Sequence, residues 1–279
     1  DRGSRIEDRG SRIEDRGSQK LWGLVLGLRC EVEYFFGALR FFTRLPAPAW
    51  VGHSDEAMRQ SARYFPAVGL VVGGMAAGVY WAAAQLWPAM IAVLLAMAAT
   101  LLITGAFHED GLSDTADGLG GGWDKTRILT IMKDSRVGSY GVVALWLALT
   151  GKFALLSSLA PALVPAALLA GHAFSRLCAT GLMVSMDYAR DDAQSKSRPM
   201  AARMSAGAFI FAALFALPPL LLLPLSPMLL GIALALLTTG WLAGKCQRWL
   251  GGYTGDALGA VQQVSELSFY LGLCAHLVA

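Results

Sequence analysis

The sequence predicts an all-α, polytopic integral membrane protein: a helical bundle of six to seven transmembrane helices plus an N-terminal helix that lies in the membrane interface. Of the 279 residues, 55% are hydrophobic and only 15% are charged, against about 25% charged residues in an ordinary soluble domain. The mean hydropathy is +0.50. No charged residue occurs from Tyr64 to Phe107, a run of 44 positions, which is long enough for two spans of about 20 residues each. This composition excludes a disordered chain, a disulfide scaffold and a coiled coil.

The N-terminal part of the chain is divided in two by its composition. Residues 1–18 repeat the heptapeptide DRGSRIE, and we expect them to be a linker or tag outside a single transmembrane catalytic domain, 19–279. Residues 21–42 are apolar but include Arg29, Glu31 and Glu33. Charges near the bilayer centre cost several kcal/mol, which favours a helix in the interface over a span, although the span is left as an alternative.

The predicted spans are separated by prolines and by polar stretches. Pro88 divides the first charge-free run, Pro161 and Pro165 divide the second apolar block, and a proline cluster divides the third. The spans are predicted at 66–86, at 88–107, twice within 137–186, twice within 204–244, and, as a polar seventh, within 257–279.

The basic residues give the orientation of these spans. The turns near residues 87, 161 and 224 contain no Lys or Arg, whereas the opposite ends of the spans carry many. By the positive-inside rule, the basic side faces the cytoplasm. The polar stretches on that side are 108–136, 187–203 and 245–256.

The acidic stretch GAFHEDGLSDTADGLGGG, 105–122, carries the strongest chemical signal. Asp110, Asp114 and Asp117 are spaced i, i+4 and i+7, so on a helix the three carboxylates share one face. A bound divalent cation would remove their mutual repulsion, and a set of oxygen ligands without cysteine favours Mg²⁺ or Mn²⁺. The pattern therefore indicates phosphoryl transfer at the membrane surface. The alternative is a solvated acidic loop, which the regular spacing and the position at the end of a span disfavour.

Two further polar clusters occur on the predicted cytoplasmic side. Lys133 and Arg136 could hold a diphosphate and Asp134 could add a carboxylate, or the basic pair could be an ordinary positive-inside flank. The glycines of GGYTGDALG, 251–259, surround Asp256 and indicate either a backbone that approaches a ligand closely or a simple helix turn.

Five segments together resemble a known family. They are FFTRLP at 41–46, YFPAVGLVVG at 64–73, GAFHEDGLSDTADG at 105–118, KDSRVGSYG at 133–141 and GGYTGDALGA at 251–260. In this order they resemble the cobalamin synthase family, adenosylcobinamide-GDP ribazoletransferase. The resemblance covers essentially everything after residue 20.

The resemblance implies an activity and a location. Adenosylcobinamide-GDP would react with α-ribazole, or its 5′-phosphate, to give adenosylcobalamin, or its 5′-phosphate, and GMP. It also implies a requirement for Mg²⁺ and a multi-pass protein of the bacterial inner membrane, with the active site on the cytoplasmic face. The implied partners are these small molecules and the lipid bilayer, without nucleic acid. A homo-oligomer or an association with other cobalamin-assembly enzymes is left open.

The resemblance also assigns roles to residues. The implied catalytic residues are His108, Asp110, Asp114 and Asp117, and the three aspartates are the implied metal ligands. The implied substrate-binding residues are Arg44, Lys133, Asp134, Arg136 and Asp256. At Gln263 the sequence departs from the family, whose members often carry a glutamate there, so an essential carboxylate at 263 is not expected. The general base is left open between His108 and a carboxylate.

Two rival functions are compatible with a membrane protein of this composition. A lipid-forming CDP-alcohol phosphotransferase would carry an Ala-Arg pair after the first Asp-Gly, whereas Leu112 and Ser113 stand there. A transporter would carry acidic groups at mid-membrane and broken helices in two repeated halves. Here the aspartates lie at the end of a span, and the sequence shows no internal repeat.

Overall fold

The computed structural model describes residues 26–52, 54–190 and 203–275, and within these ranges the protein is built from helices. The only strand-like pairing there is an isolated bridge between Tyr188 and Tyr253. The predicted all-α class is therefore confirmed. The predicted linker, 1–18, and most of the polar stretch 187–203 lie outside the described residues.

Eleven α-helices occur in the described part of the chain. Short 3₁₀ turns at Ala62–Tyr64, Pro161–Leu163 and Pro218–Leu222 connect some of them. The α-helices are α1 (26–42), α2 (Asp55–Ser61), α3 (Phe65–Ala83), α4 (Ala89–Thr104), α5 (Phe107–Gly121), α6 (Lys125–Ile131), α7 (Ser139–Ser158), α8 (Val164–Ser185), α9 (Ala206–Ala216), α10 (Leu225–Leu250) and α11 (Gly255–Leu273).

The number of spans differs from the sequence-based expectation. Within the described residues, four continuous helical segments are long and apolar enough to cross a membrane, or five if α4 and α5 are counted as one bent span. The four are Asp55–Ala83, Ser139–Ser158, Pro161–Ser185 and Leu225–Leu250. The predicted count of six to seven is thus not confirmed. One reason is that α9 has only 11 residues, about 16 Å of helix, against a hydrocarbon core of about 30 Å.

A sharp bend between α4 and α5 determines where the acidic motif lies. Gly105 and Ala106 both adopt left-handed backbone angles, with φ of 65° and 57°. Glycine adopts this conformation freely and commonly ends helices, whereas alanine does so at a cost in strain. As a result α5 leaves α4 at 85°, and the stretch predicted to be a polar connection, 108–136, begins with a helix.

The first helix is tied to the basic end of the bundle. Arg63 NH2 donates to both carboxylate oxygens of Glu31 at 2.6 and 2.7 Å, and the Tyr64 hydroxyl donates to Glu31 Oε2 at 2.6 Å. Because Arg63 lies in the basic region at the start of the first predicted span, Glu31 lies at that boundary as well. This contact is compatible with α1 lying in the interface and with α1 spanning the membrane, so the interfacial helix stays a prediction.

Helices α3 and α8 pack with their backbones in close contact. A Cβ on Gly69 would collide with the backbone carbonyl of His172 and lie 2.8 Å from Ala173 Cα, and a Cβ on Gly73 would lie 2.8 Å from Leu168 O. Two glycines four residues apart let the helix backbones touch, as small residues commonly do in membrane bundles.

We expect Gly69→Ala to lower the stability of the bundle. The added methyl would force α3 and α8 apart, and overpacking of this kind costs about 1–3 kcal/mol. The measurement is thermal unfolding of the purified protein in detergent. The matched control is Gly78→Ala on the same helix, where a Cβ meets nothing within 4 Å. Equal melting of both variants would contradict the close α3–α8 contact.

Candidate active site

The candidate site is built where α5 crosses α11. A Cβ on Gly111 would lie 2.8 Å from Asp256 O and 3.3 Å from Gly259 Cα, and a Cβ on Gly259 would lie 3.3 Å from His108 O. Because glycine has no Cβ, the two backbones approach directly. The crossing therefore places the acidic motif of α5 beside the first turn of α11, where Asp256 lies.

Carboxylates from both helices gather at this crossing. Asp114 is within electrostatic range of Asp110, Asp256 and Asp117, and also of Arg190. The Arg190 guanidinium donates to Asp256 Oδ2 at 2.6 Å. In the part of the chain that the structure describes, one guanidinium thus accompanies Asp110, Asp114 and Asp256, and these described groups carry an excess of negative charge.

The oxygen donors of this group suit a hard divalent cation. Asp110 is exposed and Asp114 is half-buried, so both can be reached from water, and their like charges favour a bound cation between them. Among the described residues, no three His, Cys, Asp or Glu side chains are already arranged around one ion position. The oxygen donors present therefore fit the ligand chemistry of Mg²⁺.

The third aspartate of the motif makes different contacts. Asp117 accepts hydrogen bonds from the backbone N–H groups of Gly138 and Gly141, at 2.7 and 2.9 Å. A Cβ on Gly138 would lie 2.8 Å from Asp117 Cγ. The buried carboxylate therefore caps the N-terminus of α7, where the helix dipole favours a negative charge. The spacing alone predicted a metal ligand at Asp117, whereas these contacts anchor segment 133–138 to α5.

Within that segment, Asp134 and Arg136 pair with each other. Arg136 donates through Nε to Asp134 Oδ1 at 3.0 Å and through NH2 to Oδ2 at 2.7 Å. These hydrogen bonds hold the pKa of Asp134 at about 2. Because 87% of the Arg136 side chain is exposed, the guanidinium remains accessible to an anion. Lys133 is exposed as well, in the same connection between α6 and α7.

The remaining predicted residues lie near the α4–α5 bend. His108 is buried, with 3% of its surface exposed, and it stacks on Phe42 with ring centroids 5.2 Å apart and an angle of 16°. Arg44 is exposed, and its guanidinium covers Gly105, where a Cβ would lie 2.7 Å from Arg44 Nε. The positive φ of Gly105 favours glycine at this position.

A buried polar network below the crossing was not predicted as a unit. The fully buried carboxylate of Glu266 lies 3.1 Å from Lys152 Nζ and 3.4 Å from His172 Nδ1. It accepts hydrogen bonds from Gln262 Nε2 at 2.5 Å and from the Tyr270 hydroxyl at 3.1 Å. These groups belong to α7, α8 and α11, so the network joins three helices.

Gln263 extends the network to α5. Its Nε2 donates to Glu109 Oε1 at 3.0 Å, and its Oε1 accepts from Lys152 Nζ at 3.1 Å. An amide can bridge an anion and a cation in this way because it is both a donor and an acceptor. Glu109 directly precedes Asp110, so the network reaches the residue next to the candidate site.

A narrow apolar pocket opens beside the crossing. Aromatic side chains make up most of its wall, and Arg176 and Gln262 are its polar members apart from His108 and the tyrosine hydroxyls. The lining residues are Phe41, Phe42, Phe65, Phe107, His108, Arg176, Ala179, Tyr188, Tyr253, Gly255, Leu258, Gly259 and Gln262.

Sequence reasoning missed Arg190 as the partner of Asp256 and missed the pocket. Arg190 and Asp256 are 66 positions apart, so no local spacing connects them. The only available signal was that Arg190 precedes a polar stretch on the side predicted to hold Asp256. The pocket has no sequence signal, because its aromatic residues come from several helices.

Together, the fold and the site define a class: a multi-spanning helical membrane protein with an oxygen-donor acidic site at the ends of its helices. Comparison of the chain with known families identifies the particular one. The cobalamin-5-phosphate synthase family matches residues 34–274, and the chain belongs to this family.

Curated relatives agree with this assignment. The Shewanella woodyi protein named adenosylcobinamide-GDP ribazoletransferase is 47% identical to this chain over 250 residues, which cover 88% of this chain and 97% of the relative. The protein of the same name in Leptothrix cholodnii is 48% identical over 255 residues, covering 88% and 96%. That of Ralstonia pickettii is 44% identical over 253 residues, covering 89% and 97%. No solved structure matches the chain.

The contacts of Asp117 and Asp110 predict that substituting the first lowers stability and substituting the second does not. Asp117→Ala should lower the stability by about 1–2 kcal/mol, because it leaves two backbone N–H groups at the start of α7 without their acceptor. Asp110→Ala should leave stability nearly unchanged, because this side chain is exposed. Thermal unfolding in detergent measures both. If Asp117→Ala melted like the wild type, the capping role would be refuted.

Proposed function

We propose that this protein is an adenosylcobinamide-GDP ribazoletransferase. It joins adenosylcobinamide-GDP to α-ribazole, or to α-ribazole 5′-phosphate, and releases GMP in the assembly of the cobalamin nucleotide loop. The observation that carries the proposal is the gathering of Asp110, Asp114 and Asp256 at the α5–α11 crossing, with Arg190 beside them. Membership of the family and the names of the relatives support the choice of substrates.

In this proposal the enzyme depends on Mg²⁺, held by Asp110, Asp114 and Asp256. When bound, the ion would neutralise charge on the diphosphate as the leaving group separates. Asp117 is assigned a positioning role, because its carboxylate already accepts two backbone hydrogen bonds. This differs from the metal set of Asp110, Asp114 and Asp117 that the spacing predicted.

The chain's own residues orient the reactants for in-line transfer. A ribazole hydroxyl forms a new bond to the phosphorus that carries the cobinamide arm, and the bond from this phosphorus to the bridging oxygen breaks. GMP leaves with that electron pair, and the hydroxyl proton passes to a base. Arg136 and Lys133 hold the leaving phosphate. The burial of His108 favours a carboxylate of the aspartate group as the base.

The proposed location is the bacterial inner membrane, with the site on the cytoplasmic side. The Lys and Arg residues support this orientation, because the turns near 87, 161 and 224 contain none of them. A cytoplasmic site would give water-soluble nucleotides direct access to the ends of α5 and α11.

The deciding experiment is reconstitution. Purified protein with adenosylcobinamide-GDP, α-ribazole and Mg²⁺ should form equal amounts of cobalamin product and GMP. Absence of both products under these conditions would refute the proposal. Two parallel reactions test the rivals: a CDP-alcohol phosphotransferase would instead release CMP from a CDP-alcohol, and a carrier would release no nucleotide.

The activity should depend on a divalent cation. EDTA should abolish turnover, and Mg²⁺ added in excess over the chelator should restore it, because within the described ranges Arg190 is the one cation that offsets the three like charges at the crossing. Thermal unfolding in EDTA provides the control, since an intact fold shows that the loss is not denaturation. Full turnover in EDTA would exclude the metal site.

Asp110→Asn should lower turnover by at least about 10²-fold, the scale expected when an electrostatic stabiliser of the transition state is lost. The side chain keeps its shape but loses its charge. The matched control is Asp124→Asn, because Asp124 caps α6 by accepting from Arg127 N and asparagine caps helices equally well. If Asp110→Asn kept most of its activity while Asp134→Asn lost it, the metal would have to be reassigned to segment 133–136.

A further inference from the structure

Arg190 is brought to the candidate site by a short backbone pairing. The N–H of Ala189 donates to Tyr253 O at 2.8 Å, and the N–H of Tyr253 donates to Asp187 O at 2.9 Å. Arg190 directly follows Ala189, and Asp256 follows Tyr253 by one helical turn. The pairing therefore places the guanidinium beside the first turn of α11, although Arg190 and Asp256 are 66 positions apart in the chain.

The contact between Arg190 and Asp256 is largely buried, and it uses only part of the guanidinium. The side chains are 12% and 23% exposed, and Arg190 NH2 donates to Asp256 Oδ2 at 2.6 Å. Arg190 Nε is buried and has no hydrogen-bond acceptor among the described residues, which costs free energy. A guanidinium is a planar fork that suits two oxygens of one carboxylate or phosphate. An arrangement in which Nε and NH2 both meet oxygens would therefore be more stable.

The charges at the crossing give this guanidinium a task. Asp110, Asp114 and Asp256 together bind a divalent cation in the proposed function, and three carboxylates exceed the charge of one such cation. The remaining negative charge would repel a diphosphate, which is itself an anion. Among the described residues, Arg190 is the cation within electrostatic range of both Asp114 and Asp256. Its charge cancels the remainder, so a diphosphate can approach the acidic site.

We propose that Arg190 binds the diphosphate of the substrate at the phosphorus that is attacked, and that Asp256 holds the guanidinium in place until a divalent cation binds. The inference rests on the proposed function and adds a substrate-binding residue to it. With the cation bound, Asp256 turns towards the metal, and the guanidinium donates through Nε and NH2 to non-bridging oxygens of that phosphoryl group. Arg136 and Lys133 remain with the leaving phosphate.

A purely structural role for Arg190 makes a different prediction. If the guanidinium only oriented Asp256 as a metal ligand, its removal would weaken the binding of the cation. If it instead leaves Asp256 for the diphosphate, its removal takes away a charge that competes with the cation. Binding of the cation should then become tighter, while binding of the diphosphate becomes weaker. The two roles therefore differ in the sign of a measurable change.

The first measurement is the affinity for Mn²⁺ without nucleotide, followed by electron paramagnetic resonance of the purified protein in detergent. Arg190→Gln should bind Mn²⁺ at least about 3-fold more tightly, because one nearby positive charge is lost. The matched control is Arg203→Gln, since this guanidinium pairs with Asp187 in an exposed ion pair and its loss should leave the affinity unchanged. Unchanged or weaker binding of Mn²⁺ by Arg190→Gln would overturn the inference.

The second measurement is the affinity for GDP at saturating Mn²⁺, by equilibrium dialysis. Arg190→Gln should bind GDP at least about 10-fold more weakly, and Arg203→Gln should bind it like the wild type. Arg190→Lys keeps the charge beside Asp256 but loses the planar fork. It should bind Mn²⁺ like the wild type and GDP at least about 3-fold more weakly, which provides the test if Arg190→Gln does not fold. Wild-type affinity for GDP in either Arg190 variant would refute the contact with the diphosphate.

These measurements separate the inference from the proposed function, because neither of them requires turnover. Wild-type protein that forms no cobalamin product refutes the proposed function, whatever the Arg190 variants bind. Wild-type protein that forms product, but whose Arg190→Gln variant binds Mn²⁺ more weakly or GDP equally well, retains the proposed function and loses the assignment of Arg190.

Discussion

The buried carboxylate of Glu266 is the constraint on which the arrangement of the helices depends. No part of it is exposed, and an ionised carboxylate in an apolar interior is tolerated only when charges and hydrogen bonds surround it. Lys152 from α7, His172 from α8 and Gln262 from α11 supply these contacts. Removing one partner would leave an uncompensated buried charge, which typically costs about 3–5 kcal/mol. The three helices are therefore fixed in rotation as well as in position.

The side-chain amide of Gln263 connects this buried network to the candidate site. Gln263 connects Lys152 to Glu109, and Glu109 and Asp110 occupy adjacent positions on α5. The network around Gln263 and Glu266 contains two cations, Lys152 and Arg176, and two carboxylates, Glu109 and Glu266, so a neutral residue at 263 keeps the formal charges of this network balanced. The sequence departure at Gln263 is thus explained by the network: the position carries a bridge between helices and does not need a carboxylate.

The helices that depend on local composition and residue spacing could be predicted from the sequence. Apolar runs located α3, α4, α7, α8 and α10, and the i, i+4, i+7 aspartates correctly indicated a helix at α5. It did not predict the 85° bend, because the left-handed angle at Ala106 is imposed by packing and not by residue preference. The proline cluster correctly marked the break after α9, but α9 has only 11 residues, so the fifth predicted span is not confirmed. Spacing records a shared face, so it grouped Asp117 with Asp110 and Asp114, but it cannot record the backbone N–H groups of α7 that donate to Asp117.

The acidic residues around the crossing therefore form two groups: buried acids that have partners on other helices, and acids that remain accessible. Glu109 accepts from α11, Asp117 accepts from the start of α7, and Glu266 pairs with Lys152 of α7 and lies beside His172 of α8. Their charges are therefore already used to hold α7, α8 and α11 around α5. Asp110 and Asp114 remain accessible, and Asp256 is only partly neutralised by Arg190. A site that must bind and release a charged substrate needs unsatisfied charge, but such charge is stable only on a rigid frame. In this protein the buried acids hold the helices in a rigid arrangement. The close contact of Gly111 with Asp256 and Gly259 fixes the accessible aspartates relative to that arrangement.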